Sequence, residues 1–560
     1  MSRIPDTPDE PPQVAPPPTA ESGVRLRLVA DDSTSVLDDG RVVLGGSPLR
    51  LLRLGPAGAA AVAGWLRGEP VSDNAAQRRL AARLVDAGVV HPEYDGSTLR
   101  PRDVTVVIPV RDHPVTYRDP GVAAVIVIDD GSARPVPGAA RRHPVARGPA
   151  AARNAGIALA DTELIAFVDA DVLPEPGWLS PLLRHFEDPE VAAVAPRVTS
   201  VPGRSVLARY EHVRSSLNLG ERPARVRPDS RVSYLPTAAL VVRTSVLRRH
   251  GGFDERLRFG EDVDLVWRLV AAGSRVRYEP SSVVHHRPRT TWPGWLRQRF
   301  DYGTAAAPLA VRHGAAVAPL RVSRWSALAW LAAAAGRPVL GAAVALGTAA
   351  LLPRKLAPLG VPPRVALRLA LAGHRGAGRL VADLLTRTWG PVAVPLLAAT
   401  RRGRPLLALA LARHLADWAA TRPPIDPARW LLARTADDLA YGAGVWWGCL
   451  RHHTVRPLVP DLSDWPGRTG ATQDPPGDHA TDRVTPAQAR TTAGDHAATP
   501  HCATAHECGA AGERVTDSAH PSGATPESPS VSHPRRRFRA VRTSTRMRDA
   551  GGPGGRGVGR

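Results

Sequence analysis

Between residues 103 and 286, short apolar runs alternate with helical stretches, and a carboxylate follows closely on several of the runs. The runs with their acids are Val104–Val110 with Asp112, Val125–Ile128 with Asp129 and Asp130, and Leu164–Val168 with Asp169 and Asp171. Short runs rich in β-branched residues are typical of buried parallel strands, which predicts an α/β fold. Because ligands of open α/β sheets bind at the carboxyl ends of the strands, we expect these acids to face one cleft.

The Asp169-Ala170-Asp171 motif brings two carboxylates near one point. Carboxylate oxygens are preferred ligands of Mg²⁺ and Mn²⁺, and such a cation can neutralise a departing diphosphate. Asp262 opens the helical stretch after Gly260, where a carboxylate can take a proton from an attacking hydroxyl as general base. Either motif alone is weak, since D-x-D is common and acids at a helix start often complement the helix dipole. Their order along the chain favours a nucleotide-sugar site.

Further polar residues suit binding of a nucleotide-sugar donor. Asp112, with Asp129 or Asp130, suits hydrogen bonds to a base and ribose, and Arg153 and Asn154 can reach the base or phosphates from a helix.

A basic stretch follows Trp295 and contains Arg297 and Arg299. Guanidinium groups suit diphosphate binding, so these two residues are possible diphosphate contacts. A solvated or membrane-facing basic helix explains the same residues equally well.

Five motifs together resemble family 2 glycosyltransferases with the GT-A fold: VIPVRD at 107–112, VIDDGS at 127–132, ARNAGI at 152–157, VDADV at 168–172 and FGEDVDLVWRL at 259–269. The resemblance covers about a third of the chain, and we assign residues 101–320 to a GT-A domain. It implies a metal-dependent, inverting hexosyl transfer from a nucleotide sugar, with a divalent cation (Mg²⁺ or Mn²⁺) as cofactor.

The resemblance also assigns roles to residues that match the family's motifs. The base position falls on Asp262, the metal positions fall on Asp169, Asp171 and His286, and the donor positions fall on Pro109, Asp112, Asp129, Asp130, Arg153, Asn154 and Asp169. The family normally has a helix after the first strand, whereas only about a dozen residues separate Asp112 from Val125 here. We therefore predict a loop or a single turn at this crossover, which can distort the donor site.

Residues 23–95 form a separate small-domain pattern. Two predicted strands (Arg25–Ala30 and Arg41–Leu44) and two predicted helices (Pro56–Leu66 and Ala75–Ala87) resemble a winged-helix peptide-recognition element. A docking domain without a ligand of its own is the alternative.

A narrower resemblance, carried by this segment and by residues 152–179 and 299–313, is to the mycofactocin-system branch of the family. It implies transfer of glucose from UDP-glucose onto a peptide-derived redox cofactor precursor, building a β-1,4-linked oligosaccharide.

The net charge of +21 is concentrated in one part of the chain. Residues 287–456 contain 24 Arg or Lys and 6 Asp or Glu, a difference of 24 − 6 = +18, interleaved with leucine and tryptophan. That mixture favours an anionic membrane surface over a nucleic-acid groove, and residues 1–286 show no nucleic-acid recognition motif. We therefore expect no nucleic-acid partner.

We expect residues 321–457 to form a helical, basic, membrane-associated region on the cytoplasmic side of the cell membrane. The charge-free run Pro338–Leu352 is about fifteen residues long, short of the roughly twenty that a span needs, so a hairpin or interfacial helices are favoured. Residues 1–22 and 458–560 have compositions typical of disorder. Three cysteines rule out a disulfide framework and fit a reducing compartment.

Two other functions stay open on the sequence alone. The basic apolar segment also fits an enzyme of the same fold that acts on a lipid or cell-wall glycan. The short crossover and residues 23–95 also fit a peptide-binding adaptor with a degenerate transferase domain.

Overall fold

The computed structural model of the protein describes residues 23–119 and 121–462. The predicted disordered segment 1–22 and residues 463–560 of the predicted tail 458–560 lie outside the described residues. The first residues of that tail, 458–462, are described and include the short strand Asp461–Leu462.

The N-terminal part is a small mixed unit around Trp65 and Leu84. Its elements are β1 (Leu26–Ala30), β2 (Ser35–Leu37), β3 (Val42–Gly45), β4 (Arg50–Arg53), α1 (Pro56–Leu66), α2 (Ala75–Ala87) and β5 (Val90–Tyr94). Asn74 caps α2, since its side chain accepts hydrogen bonds from the first-turn amides, and Gly88 ends it with φ +70°. Both helices have the predicted bounds, whereas peptide recognition by this unit stays a prediction.

A nine-stranded mixed sheet forms the centre of the molecule. Its strands are β6 (Val104–Val110), β7 (Ala124–Asp129), β8 (Arg141–Arg142), β9 (Leu164–Val168), β10 (Val172–Pro174), β11 (Val191–Ser200), β12 (Ala224–Arg225), β13 (Ala239–Arg243) and β14 (Arg275–His286). The strand order is β10-β14-β11-β13-β9-β6-β7-β8, and β12 pairs with β14. Strands β6, β7 and β9 are parallel, so their carboxyl ends share one edge of the sheet.

Helices cover the sheet, and the crossover between β6 and β7 is a loop. The helices of this part are α3 (Pro149–Leu159), α4 (Leu179–Arg184), α5 (Val206–Arg214), α6 (Thr244–Arg249) and α7 (Glu261–Ala271). The described residues between β6 and β7 contain no helix, as the short spacing predicts. The α/β architecture of the central part is therefore confirmed.

The C-terminal part is mainly helical, as predicted. Its elements are α8 (Trp292–Thr304), α9 (Ala306–His313), β15 (Arg321–Val322), α10 (Arg324–Ala334), α11 (Pro338–Leu356), α12 (Pro363–Asp383), α13 (Gly390–Ala399), α14 (Gly403–Thr421), α15 (Pro427–Arg451) and β16 (Asp461–Leu462). A π-helical turn over Leu384–Thr388 follows α12. The continuous segment Pro338–Leu359 has the length and apolar composition to cross a membrane, the one such segment within 23–119 and 121–462.

Candidate active site

A cavity of about 1020 Å³ opens at the carboxyl-end edge of β6, β7 and β9. The predicted site residues that line it are Pro109, Asp130, Arg153, Asp169, Asp171, Asp262, His286 and Arg299. Its volume matches the upper end of the usual range for small-molecule sites, about 300–1,000 Å³, which leaves room for more than one small ligand. The predicted metal and base positions therefore share one cavity.

The pairing of β10 with β14 places His286 beside Asp171. Val172 is the register partner of His286, and the Nε2 atom of His286 lies 3.4 Å from Oδ2 of Asp171. Burial alone would raise the pKa of Asp171, but the hydrogen bond and charge of His286 outweigh burial and hold that pKa below its ordinary value. The Nδ1 atom of His286 is buried without a hydrogen-bond partner.

Asp171 and His286 offer the types of ligand atom that a divalent cation binds. Carboxylate and imidazole groups are both accepted ligands of Mn²⁺, and an unpartnered ring nitrogen of His286 is available. Asp169 lines the same cavity, although it pairs with Arg153 in this structure. Within 23–119 and 121–462, no three His, Cys, Asp or Glu side chains already stand in ligating geometry.

Arg153 connects the two halves of the site. Its NH2 atom donates to Asp169 over 2.8 Å, and its NH1 atom donates to Glu261 over 2.8 Å. The side chain is buried; burial alone would lower the pKa of Arg153, but Asp169 and Glu261 outweigh burial and raise it. The guanidinium of Arg153, a predicted donor contact, therefore joins the end of β9 to the start of α7. We call this arrangement the clamp.

Asp262 lies in the first turn of α7, next to the clamp. Gly260 precedes the helix with φ +79°, a conformation that favours glycine. Burial, together with the neighbouring charge of Glu261, raises the pKa of Asp262 to about 7. A carboxylate with this pKa is well matched to general-base work near neutral pH.

The four remaining predicted donor residues hold loops around the cavity. Asp129 is fully buried and accepts hydrogen bonds from the Ser132 and Val136 amides, so it does not line the cavity. Asp130 does line the cavity, but its two oxygens bind the amides of Arg147 and Gly148.

Asp112 and Asn154 act in the same way. Asp112 has φ +53° and accepts a hydrogen bond from the Ala133 amide, which ties the short crossover loop to the turn after β7. Asn154 exchanges hydrogen bonds with both backbone groups of Phe253 and donates to Glu255. Neither residue lines the cavity, and both fix backbone that leads into it.

The two possible diphosphate contacts, Arg297 and Arg299, lie in different surroundings. Arg299 is buried; it pairs with Glu211 and lies 3.3 Å from Asp437, so two carboxylates already balance its charge. Arg297 is largely exposed, pairs with Asp301 one helical turn away, and lies outside the cavity. A diphosphate contact by Arg297 therefore stays a prediction.

Several cavity residues are missing from the site residues predicted from the sequence. They are Tyr234, Arg289 and Tyr441, together with Glu261 in its role as partner of Arg153. Arg289 follows His286 by three residues and adds to the positive field that lowers the pKa of Asp171. That short spacing is a signal that would have found Arg289, whereas Tyr441 comes from a helix far along the chain.

The chain is similar in sequence to a family model and to known proteins. The family model described as glycosyl transferase family 2 matches residues 119–251. Pre-mycofactocin glycosyltransferase of Mycobacterium tuberculosis (strain H37Rv) is 42% identical over 460 residues, which is 77% of this chain and 97% of that protein. Succinoglycan biosynthesis protein ExoU of Rhizobium meliloti is 30% identical over 208 residues, covering 32% of this chain and 59% of that protein.

Among solved structures, the mannosyltransferase PcManGT from Pyrobaculum calidifontis, in complex with GDP-Man and Mn²⁺, is similar over 62% of this chain and 88% of its own. The identity is 18% and the TM-score is 0.35. The long match to the M. tuberculosis protein is decisive: this chain belongs to glycosyltransferase family 2 and is a close relative of the mycofactocin-system enzyme.

Proposed function

We propose that the protein transfers glucose from UDP-glucose, with inversion, onto the peptide-derived mycofactocin precursor and builds a β-1,4-linked oligosaccharide. The observation that carries this proposal is the 42% identity that extends over 97% of a pre-mycofactocin glycosyltransferase. The cavity supports the reaction type, since Asp262 and the Asp169-Ala170-Asp171 motif line it together.

In the proposed reaction, Asp262 accepts the proton of an acceptor hydroxyl as the hydroxyl oxygen attacks the anomeric carbon of the donor. The new carbon–oxygen bond forms on the face opposite the breaking bond to the diphosphate, so an α-linked donor gives a β-linked product. Arg153 keeps Asp169 and the start of α7 in place during this displacement. Asp169, Asp171 and His286 would hold a divalent cation, which supplies positive charge to the departing diphosphate.

Incubating the full chain with labelled UDP-glucose and the peptide-derived precursor tests the proposal. Label should pass to the precursor and not to a lipid or cell-wall glycan extract. Transfer of label to the extract alone would mean that the protein is a glycosyltransferase whose acceptor is a lipid or cell-wall glycan. Absence of both transfer and metal-dependent UDP binding would favour a peptide-binding adaptor.

The proposed cation site predicts a binding defect that can be measured without turnover. Replacing Asp171 by asparagine removes one carboxylate charge beside His286, so the affinity for Mn²⁺ should fall about 10–100-fold in calorimetric titrations. Asp161→Asn removes the same charge at an exposed position and should bind Mn²⁺ like the unmodified protein. If both variants bind Mn²⁺ with equal affinity, the cation site does not include Asp171.

We also propose that the helical part binds the cytoplasmic face of an anionic membrane. Apolar side chains are exposed on α10 and α11, including Leu331, Leu340, Leu346 and Leu351, and the surrounding chain is strongly basic. Exposed apolar surface next to arginines suits the boundary between lipid tails and anionic headgroups.

Replacing Leu346 and Leu351 together by aspartate should weaken binding to anionic vesicles at least tenfold, because two apolar contacts are lost and two like charges are added. Co-sedimentation with vesicles that contain phosphatidylglycerol measures this effect. The control is Val145→Asp, an exposed apolar residue in the α/β part, which should leave vesicle binding unchanged. Unchanged sedimentation of the double variant would contradict the proposal.

A further inference from the structure

The cavity wall around Asp262 is rich in tyrosine. Tyr234, Tyr302 and Tyr441 all line the cavity that contains this carboxylate. Burial is the main cause that raises the pKa of Tyr234, with further contributions from Asp262, Tyr302 and Tyr441. The carbonyl oxygen of Tyr441 lies against Gly303, the residue after Tyr302. A general base must touch the acceptor hydroxyl, so side chains grouped around Asp262 are placed to touch the acceptor.

The three tyrosine hydroxyls differ in what they bind. Tyr302 accepts a hydrogen bond from Nε2 of Gln298 over 3.1 Å, and Tyr234 donates a long one, 3.4 Å, to the carbonyl of Ser216. The hydroxyl of Tyr441 has no hydrogen-bond partner among residues 23–119 and 121–462, and its side chain is half-buried. Tyr441 thus has an unused polar group at the cavity wall.

The fold holds the Tyr441 ring firmly. The guanidinium carbon of Arg387 lies 3.8 Å from the ring centre, and its NH1 atom donates to Asp438 over 2.8 Å. A side chain at Gly442 would collide with the carbonyl oxygen of Arg387, so glycine lets α15 approach the π-helical turn closely. A fixed ring with a free hydroxyl is suited to selecting a ligand, because little conformational entropy is lost on binding.

We infer that Tyr441, from the helical part, is a specificity-determining residue that hydrogen-bonds a hydroxyl of a glycoside acceptor, and that its ring packs against that acceptor. Its class of ligand rests on the proposed function, in which a growing β-glucoside is the acceptor. The helical part then completes the active site in addition to any membrane role. A phenol can both donate and accept, which suits the hydroxyl groups of a sugar.

Tyr441→Phe is the sharpest variant, because it removes one oxygen and keeps the ring. With 4-nitrophenyl β-D-glucopyranoside as the probe, and UDP and Mn²⁺ present, the variant should bind about tenfold more weakly than the unmodified full chain. That ratio corresponds to about 1.4 kcal/mol. Tyr441→Ala should bind more weakly still, since the ring contact is also lost. Tyr94→Phe removes a hydroxyl in the N-terminal unit, outside the cavity, and should bind like the unmodified chain.

UDP affinity and the melting temperature should be unchanged in Tyr441→Phe, which separates acceptor recognition from a purely structural role. Equal affinity of Tyr441→Phe and the unmodified chain for the probe would overturn the inference, as would a lack of probe binding by the unmodified chain. Failure of the proposed function gives a different result: no label reaches the peptide-derived precursor, while the probe still binds in a Tyr441-dependent way.

Discussion

Asp262→Asn is expected to lower the rate of sugar transfer by about 10²–10⁴-fold, the usual contribution of a general base, while UDP binding persists. The amide keeps the size of the carboxyl group and its place in the first turn of α7, but it cannot take up the acceptor proton. Single-turnover transfer and calorimetry with UDP give the two readouts. Asp161→Asn, the same change at an exposed site, should leave both unchanged. If Asp262→Asn transfers sugar at the rate of the unmodified enzyme, Asp262 is not the general base.

The pH profile provides a second check on the same residue. The pKa of Asp262 is raised to about 7, so kcat/KM should rise with pH through this region as the base ionises, and then level off. A nearby cation favours the ionised carboxylate, so the midpoint should move below 7 when metal is bound. The residual activity of Asp262→Asn should lack this rise.

The same shift has a consequence for stability. A carboxyl group whose pKa is raised from 3.8 to about 7 in the folded state favours folding when protonated. This contribution is complete below pH 3.8 and is lost as the pH rises through about 7. Asp262→Asn stays neutral throughout, so it should melt at a higher temperature than the unmodified protein at pH 8 and at a similar temperature at pH 4.

Arg153→Ala should have the largest effect on the fold. The substitution leaves the buried Glu261 and the partly exposed Asp169 without their shared buried partner, and leaving a buried charge such as that of Glu261 unpaired costs about 3–5 kcal/mol of the free energy of unfolding. Transfer should also fall, because the end of β9 and the start of α7 are no longer joined. Urea denaturation measures the first effect, and kcat at saturating donor measures the second.

Two controls test whether the loss of stability in Arg153→Ala comes from loss of the clamp. The destabilisation should shrink at low pH, because protonation removes the unpaired charges of Asp169 and Glu261. Arg67→Ala removes an exposed arginine that pairs with Glu69, and should cost at most about 1 kcal/mol. A stability loss for Arg153→Ala no greater than that of Arg67→Ala would refute the clamp.

Local patterns along the chain determined the elements and the position of the candidate site. The strands β6 and β9 have the predicted bounds, and α1 and α2 do as well. These features depend on residues close in sequence: β-branched runs, helical spacing and acids that follow a strand. Even the loop crossover after β6 follows from a count of residues, since too few are present for a helix. Family membership likewise rests on short motifs that are read from the sequence.

Only the tertiary structure decided what each polar side chain contacts. Arg153 and Asn154 are adjacent on one helix; Arg153 clamps Glu261, and Asn154 holds Phe253, each about a hundred residues away. Arg299 pairs with Glu211 at the cavity wall, and Tyr441 reaches the cavity from α15. The physical reason is that charge and hydrogen-bonding capacity belong to a residue type, whereas partners are chosen by distance, and distance between remote segments depends on how the whole chain packs.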